Sequence, residues 1–277
     1  MAFKFNFFEN GDDQMQQLES ESRKPVQIGI ANEPKTMPVG GFTHEQIIKC
    51  ADVSTLSFLD HFPTKDVIVR MVNGGQLSDK DTVAKFTDVL PGQYEGGLKI
   101  WECSFDAIGH LTSVEAPKRM LDLGCGSGLV GIWALLQWPS THVTFHDLNY
   151  SVLESATIPN IWLNGPALAD RSEFLYGPWS GSQELLKSNG RYNLISTADT
   201  LYDPQALHEL HDLLCDLLEL DGVAIVAAKR FYFGVGGGVS SFMAIANRLG
   251  KARVRVASSV EDGSSNIRDI LEFRRIS

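Results

Sequence analysis

Apolar residues are distributed unevenly along the chain, and the change near residue 94 divides it. Residues 1–35 are polar, with Glu9-Asn-Gly-Asp-Asp13 and Glu19-Ser-Glu-Ser-Arg-Lys24. Such a composition buries little surface, so disorder is expected there. Phe3, Phe5, Phe7 and Phe8 are the exception; they alternate like a short strand, although a frayed terminus is the simpler expectation. Residues 36–93 mix short apolar pieces with Gly, Pro and Asp and read as an irregular extension. No internal repeat is visible.

Residues 94–277 are regular. A helix is predicted over 101–111, a strand over 119–123, a helix over 128–137, and strands over 143–146, 173–176 and 192–196. Leucines at 207, 210, 213, 214, 217, 218 and 220 predict an amphipathic helix over 206–220, stopped by Asp221-Gly222. Val223-Ala-Ile-Val-Ala-Ala228 is apolar throughout, as a central parallel strand should be. A helix near 239–249 follows, then an antiparallel pair near 253–260 and 268–275. Alternating strands and helices predict an α/β fold, a Rossmann-like doubly wound sheet that ends in an antiparallel hairpin.

Glycines punctuate the first strand-to-helix turn, Leu121-Asp-Leu-Gly-Cys-Gly-Ser-Gly128. Gly124, Gly126 and Gly128 let the backbone turn sharply and admit a ligand closely. Asp147 ends the next strand, where a carboxylate can accept both hydroxyls of a ribose. Gly126, Gly128 and Gly131 also spell the dinucleotide pattern G-x-G-x-x-G, so a nicotinamide or flavin enzyme is the rival. Against it, the glycines keep an unbroken alternate register from Gly124, and Asp122 lies just before them. An acidic residue there suits a cationic sulfonium and would repel a pyrophosphate. S-adenosyl-L-methionine is therefore the cofactor expected. Trp179 follows the third strand and is a candidate for stacking on the adenine; an ordinary half-buried tryptophan is the alternative. The segment Tyr94-Glu-Gly-Gly-Leu-Lys-Ile-Trp-Glu-Cys103 either caps the methionine end of that cofactor or is a glycine-broken loop.

Composition changes this picture little. The net charge of −10 argues against nucleic-acid binding and is compatible with a basic protein partner, or with solubility alone. No run of about 18 apolar residues occurs, so no membrane span is expected. Cys50, Cys103, Cys125 and Cys215 are scattered without ligand spacing, and free thiols in a reducing compartment are expected. His208 and His211 lie three apart on the leucine-rich helix, but no third ligand is near in sequence. No metal is expected.

Four motifs carry a further likeness. The Tyr94–Cys103 segment, the glycine turn, Asp199-Thr-Leu-Tyr202 and Tyr232-Phe-Gly-Val-Gly-Gly-Gly-Val239 together resemble the protein-histidine methyltransferase family, over roughly 94–277 and the Met-x-Phe-x-Phe-Asn-Phe opening. The resemblance implies a seven-stranded class I methyltransferase that methylates the tele nitrogen of a histidine on the third large-subunit ribosomal protein (L-three). It implies cofactor contact by Ile100, Trp101, Glu102, Cys103, Ser104, Gly124, His146, Asp147, Leu148, Gly177, Pro178, Trp179 and Ala198. It also implies a role in translation or ribosome biogenesis, a cytoplasmic and nuclear or nucleolar location, and a monomer. The chain departs from the family pattern in having Ala198-Asp-Thr200 for Ser-Glu-Thr and Gly177-Pro-Trp179 for Gly-Glu-Trp, and in its abbreviated polar N-terminus. Histidine as the acceptor needs a partner for its pros N–H. Asp199, after the fourth strand, is the candidate, with Tyr202 as a further hydrogen-bonding group or slot wall. Gly236-Gly-Gly238 is either a substrate-contacting loop or a simple connection.

Overall fold

The computed structural model describes residues 35–37, 53–57, 68–72, 96–188, 190–263 and 266–276. The early phenylalanines and Tyr94-Glu95 lie outside them.

Five parallel strands form the centre: β4 (Arg119–Leu123), β5 (His142–Asp147), β6 (Ser172–Tyr176), β7 (Tyr192–Ala198) and β8 (Leu218–Lys229). The hairpin β9 (Ala252–Val260) and β10 (Arg268–Arg275) closes one edge, with β10 antiparallel to β8. Counted within the catalytic sheet, the order is 3-2-1-4-5-7-6, as expected of class I methyltransferases. An eighth strand, β1 (Lys35–Met37), pairs antiparallel with β6 at the other edge. Three residues give no alternation to detect, so this strand has no sequence signature. A second small sheet pairs β2 (Val53–Ser57) with β3 (Ile68–Val72), and buried Val69 and Met71 join the core beneath the helices. Both features fall in or beside the stretch read as irregular.

Helices cover the two faces because each strand alternates its side chains between them. On one face lie α1 (Glu102–Leu111), α2 (Leu129–Gln137) and a helical run over 150–164. In α1 the buried residues are Cys103, Ala107, Ile108 and Leu111, a spacing that makes one apolar stripe. The 150–164 run begins as α3 (Tyr150–Val152), widens to a π-helix (Leu153–Thr157) and resumes as α4 (Ile158–Asn164). The opposite face carries α5 (Gln183–Leu186), α6 (Leu207–Leu217) and α7 (Val239–Leu249).

One boundary differs from expectation. The leucine repeat predicted a helix to 220, yet α6 stops at Leu217 and β8 begins at once. Leu218 is fully buried opposite Tyr192 in the sheet, while Leu220 is 60% exposed. These two leucines therefore do not share the helix's apolar face. The pairing then jumps to Leu194 against Val223, so Asp221-Gly222 bulges within a strand rather than ending a helix.

Candidate active site

The parallel strands deliver their C-terminal ends to one edge of the sheet, where doubly wound folds bind ligands. At the end of β4 the chain turns through Gly124, Gly126 and Gly128, all at positive φ (68°, 53° and 81°), and enters α2. A Cβ on Gly126 would stand 2.8 Å from the carbonyl oxygen of Gly97, so the segment before α1 lies directly on this turn. The Asp147 carboxylate, at the end of β5, holds the turn from the other side. Its Oδ2 accepts the Gly126 N–H at 2.9 Å and its Oδ1 the Asn149 N–H at 3.0 Å. The helical run over 150–164 completes the clamp: Thr157 Oγ1, at the end of its π-segment, donates to the Gly126 carbonyl at 2.6 Å, and Asn160 Nδ2 in α4 to the Ser127 carbonyl at 2.8 Å. π-Segments often occur at functional sites because the extra residue re-aims side chains.

Asp122 lies beneath this turn. Its buried carboxylate accepts the Gly131 N–H at 2.9 Å, which ties β4 to the first turn of α2. Burial pushes its pKa to about 7, an effect opposed by the Gly131 bond and reinforced by nearby Asp147. His146 presents its backbone to the site, where its carbonyl accepts the Cys125 N–H at 2.8 Å. The imidazole is wholly buried, and both ring nitrogens lack a hydrogen-bond partner. Burial lowers its pKa to about 4, so the ring is neutral. Leu148 follows, half-buried. Gly177 continues the edge after β6, its N–H bonded to the Asp147 carbonyl at 3.0 Å. Pro178 is half-buried, as is Trp179, which packs on the apolar cluster under α5 and α6.

The ends of β7 and β8 build a second, charged centre. Asp199, just past β7, has φ of 56°, the only positive φ among the described non-glycine residues. Such a backbone costs about 1–2 kcal/mol for an ordinary L-residue, less for Asp, and recurs at functional sites. Its N–H is fixed by the Ala227 carbonyl at 2.9 Å. Its carboxylate is nearly buried and serves three partners. Oδ1 accepts the Tyr232 hydroxyl at 2.8 Å and stands 3.8 Å from the Lys229 ammonium, and Oδ2 receives the Cys103 N–H at a long 3.4 Å. Lys229 also pairs with Glu102 at 3.2 Å and lies 5.0 Å over the Trp101 ring. Burial raises the Asp199 carboxyl, with Lys229 and then Tyr232 working against it. Burial and the Asp199 charge push the Tyr232 phenol well up, which keeps it a donor. The same two causes raise the Cys103 thiol.

The structure thus brings Trp101, Glu102 and Cys103, singled out as one segment, onto Asp199 from the next motif. Ile100, Ser104 and Ala198 are half-buried around the same centre. Tyr202 meets the Tyr232 ring edge-on at 6.2 Å between centroids. The glycine run after β8 is a close-approach element. A Cβ on Gly237 would come within 2.2 Å of the Leu201 carbonyl, and the Gly238 N–H bonds that carbonyl at 2.7 Å. Lys229 and Tyr232 had no assigned role in the sequence. A lysine that ends an otherwise apolar buried strand was the available signal.

His208 and His211 serve other ends. His208 contacts Arg248, and buried His211 has Asp212 3.2 Å away. Among the described residues no cluster of three or more His, Cys, Asp or Glu side chains could hold a metal ion, and no helix is long and apolar enough to cross a membrane.

Residues 92–237 match a family model described as lysine methyltransferase. The chain belongs to this methyltransferase family. Its curated relatives include proteins named histidine protein methyltransferase 1 homolog. That from Dictyostelium discoideum is 37% identical over 70% of this chain and 63% of its own length, and that from Rattus norvegicus 32% identical over 79% and 65%. The chain spans just under two thirds of these relatives. Among solved structures, a Klebsiella pneumoniae protein described as a candidate O-methyltransferase superposes with a TM-score of 0.50 at 14% identity, over 65% of this chain and 82% of that one. This likeness concerns the fold alone.

Proposed function

We propose that this chain is an S-adenosylmethionine-dependent protein-histidine methyltransferase. The observation that carries the proposal is Asp199, held in a left-handed backbone at the ligand edge with its carboxylate charge already matched by Lys229. The names of the Dictyostelium and rat relatives support the same acceptor.

The residues present fit the cofactor. The glycine turn holds a positive φ at all three positions, a shape that a Cβ on Gly124, Gly126 or Gly128 would break against Thr200, Gly97 or Thr157, and the Asp147 carboxylate ends the next strand against that turn. Gly124, Gly126 and Gly128 with Asp147, Leu148 and the segment 100–104 would hold it, with Trp179 as the candidate to stack on the adenine. When bound, the cofactor supplies a methyl carbon already activated by its sulfonium. The protein therefore has mainly to position the acceptor, which can contribute up to about 7–11 kcal/mol.

A histidine with pKa near 6.5 is about three-quarters neutral at pH 7, whereas a lysine must offset about 4.6 kcal/mol to lose its proton. Histidine methylation thus needs no strong base. It gains from an acceptor for the pros N–H that leaves the tele lone pair facing the methyl. Asp199 is that acceptor in this proposal, oriented by Tyr232 and Cys103, and Tyr202 lines the slot. Lysine as acceptor is the second reading, favoured by the description of the family model. Asp199 suits it less well, because a carboxylate engaged by Lys229 has less charge to offer a substrate ammonium.

We further propose a basic protein substrate, with the large-subunit ribosomal protein L-three as the candidate, a monomeric enzyme and a cytoplasmic and nuclear setting. The test is methyl transfer to the purified ribosomal protein, with the product sites located by mass spectrometry. Label on a histidine tele nitrogen is expected. Label that persists after the acceptor histidine is replaced, or that sits on lysine, would reject the proposal.

A further inference from the structure

β8 does not end in a polar turn. The residues after it alternate in direction: Tyr232 turns inward to Asp199, while Phe231 and Phe233 on either side are 52% and 81% exposed, and Val235 is 49% exposed. Three large apolar side chains thus face solvent within five residues, beginning one position from a group that touches the candidate catalytic carboxylate. Scattered single hydrophobics are ordinary on a surface; a contiguous set beside a site marks a contact surface.

The loop that carries them is fixed. The N–H groups of Val235 and Gly236 bond the Tyr232 carbonyl at 3.3 and 3.0 Å, and the Asn266 side chain bonds the Phe231 carbonyl. On the far side Gly236 leaves so little room that a Cβ would meet the Pro204 ring at 2.9 Å. Exposed apolar side chains on an anchored loop lose little freedom on binding, which favours affinity.

The margins are acidic. Asp203 precedes the Pro204 that packs on Gly236, and exposed Glu261 acts on Arg230, the residue before Phe231. The charge of Arg230 is matched by Asp269 through bonds of 2.7 and 2.9 Å. Glu102, 46% exposed in its side chain, lies on the Lys229 side. With a net charge of −10, the whole chain favours a cationic partner over a second copy of itself.

We propose that Phe231, Phe233 and Val235 form the docking platform for a polypeptide segment with lysine or arginine and large apolar residues flanking the methyl-accepting side chain. This rests on the reading of the chain as a protein methyltransferase and adds how its substrate is recognised. The apolar residues of the segment cover the phenylalanines, and its cations meet Asp203 and Glu261.

The test uses fluorescein-labelled, histidine-centred peptides in anisotropy titrations with the full chain. One peptide carries lysine and leucine flanks, a second has serine for leucine, and a third has glutamate for lysine. The first should bind, and the other two should bind about tenfold more weakly. Phe233→Ser, and Phe231→Ser with Phe233→Ser, should weaken the first peptide by about tenfold or more. Calorimetric affinity for S-adenosylmethionine and thermal midpoint should stay as in the parent. Phe233 is mostly exposed, so the single variant keeps the test sound if the double variant folds poorly. Equal binding by parent and variants, or indifference to the flanks, overturns the platform. So does sedimentation showing that the phenylalanines are buried in a self-association that the variants abolish without changing peptide affinity. A parent that binds the peptide yet leaves its histidine unmethylated counts against the proposed acceptor and not against the platform.

Discussion

The Lys229 ammonium stands 3.8 Å from the Asp199 carboxylate and 3.2 Å from that of Glu102, so one cation bridges the end of the central sheet and the first turn of α1. Lys229 belongs to β8 and Glu102 to the segment that lies on the glycine turn. In the proposed enzyme this cation would couple the acceptor side of the site to the cofactor side.

Lys229→Met should raise the Asp199 carboxyl further, since burial then acts without its chief opponent. Protonation would set in at higher pH, and the acid limb of the kcat/KM profile should move up. Methyl-transfer assays across pH should show the acid limb displaced upward, with the loss greatest at the acid end and shrinking as pH rises. An unmoved limb would show that Asp199 does not titrate in the rate-determining complex.

Asp199→Ala should keep cofactor affinity, measured by calorimetry, and lose about 100-fold or more in turnover, the range typical of a removed orienting or proton-accepting group. Equal loss in both would show that the residue serves the fold and not the acceptor.

Gly126→Ala places a Cβ 2.8 Å from the Gly97 carbonyl on a backbone of φ 53°. Relief of about 1–2 kcal/mol of backbone strain by displacement of the turn predicts cofactor binding weakened about five- to thirtyfold. Thr157→Val removes the bond to the Gly126 carbonyl and the weaker contact with the Cys125 thiol, and should weaken binding a few-fold, about 1 kcal/mol.

The buried imidazole of His146 predicts a pH-dependent stability. Its pKa is lowered to about 4 in the fold, against an ordinary 6.5. Between those values the unfolded chain takes up a proton that the native state refuses, so the histidine's share of stability, complete above 6.5, is lost as pH falls toward 4. His146→Leu should flatten that part of the curve by a few kcal/mol at most, as read by denaturant unfolding across the interval.

Most of the sheet was legible because its strands are either alternating or apolar throughout, and its glycine turn is local in sequence. Asp147 and Asp199 were legible because each ends a recognisable strand. The partnership around Asp199 was not: Cys103 is 96 positions away in sequence and Tyr232 is 33. No local periodicity reports such a distance. The leucine repeat misled at Leu218 because a helix and a buried strand that follow one another without a turn both consist of leucine. The helical run over 150–164 lacked a clear period because its π-segment shifts the phase of the buried residues.

The π-segment is a helix carrying one residue more than its turns need, and Thr157, its last residue, and Asn160, one turn further on, both reach the glycine turn. Deleting one residue over 153–156 would restore a plain α-helix and swing both side chains about 100° around its axis, off the carbonyls they hold. Chain length in this stretch is thereby constrained even where side-chain identity is free. Insertions and deletions tolerated elsewhere on the surface would here cost the donor site its outer wall.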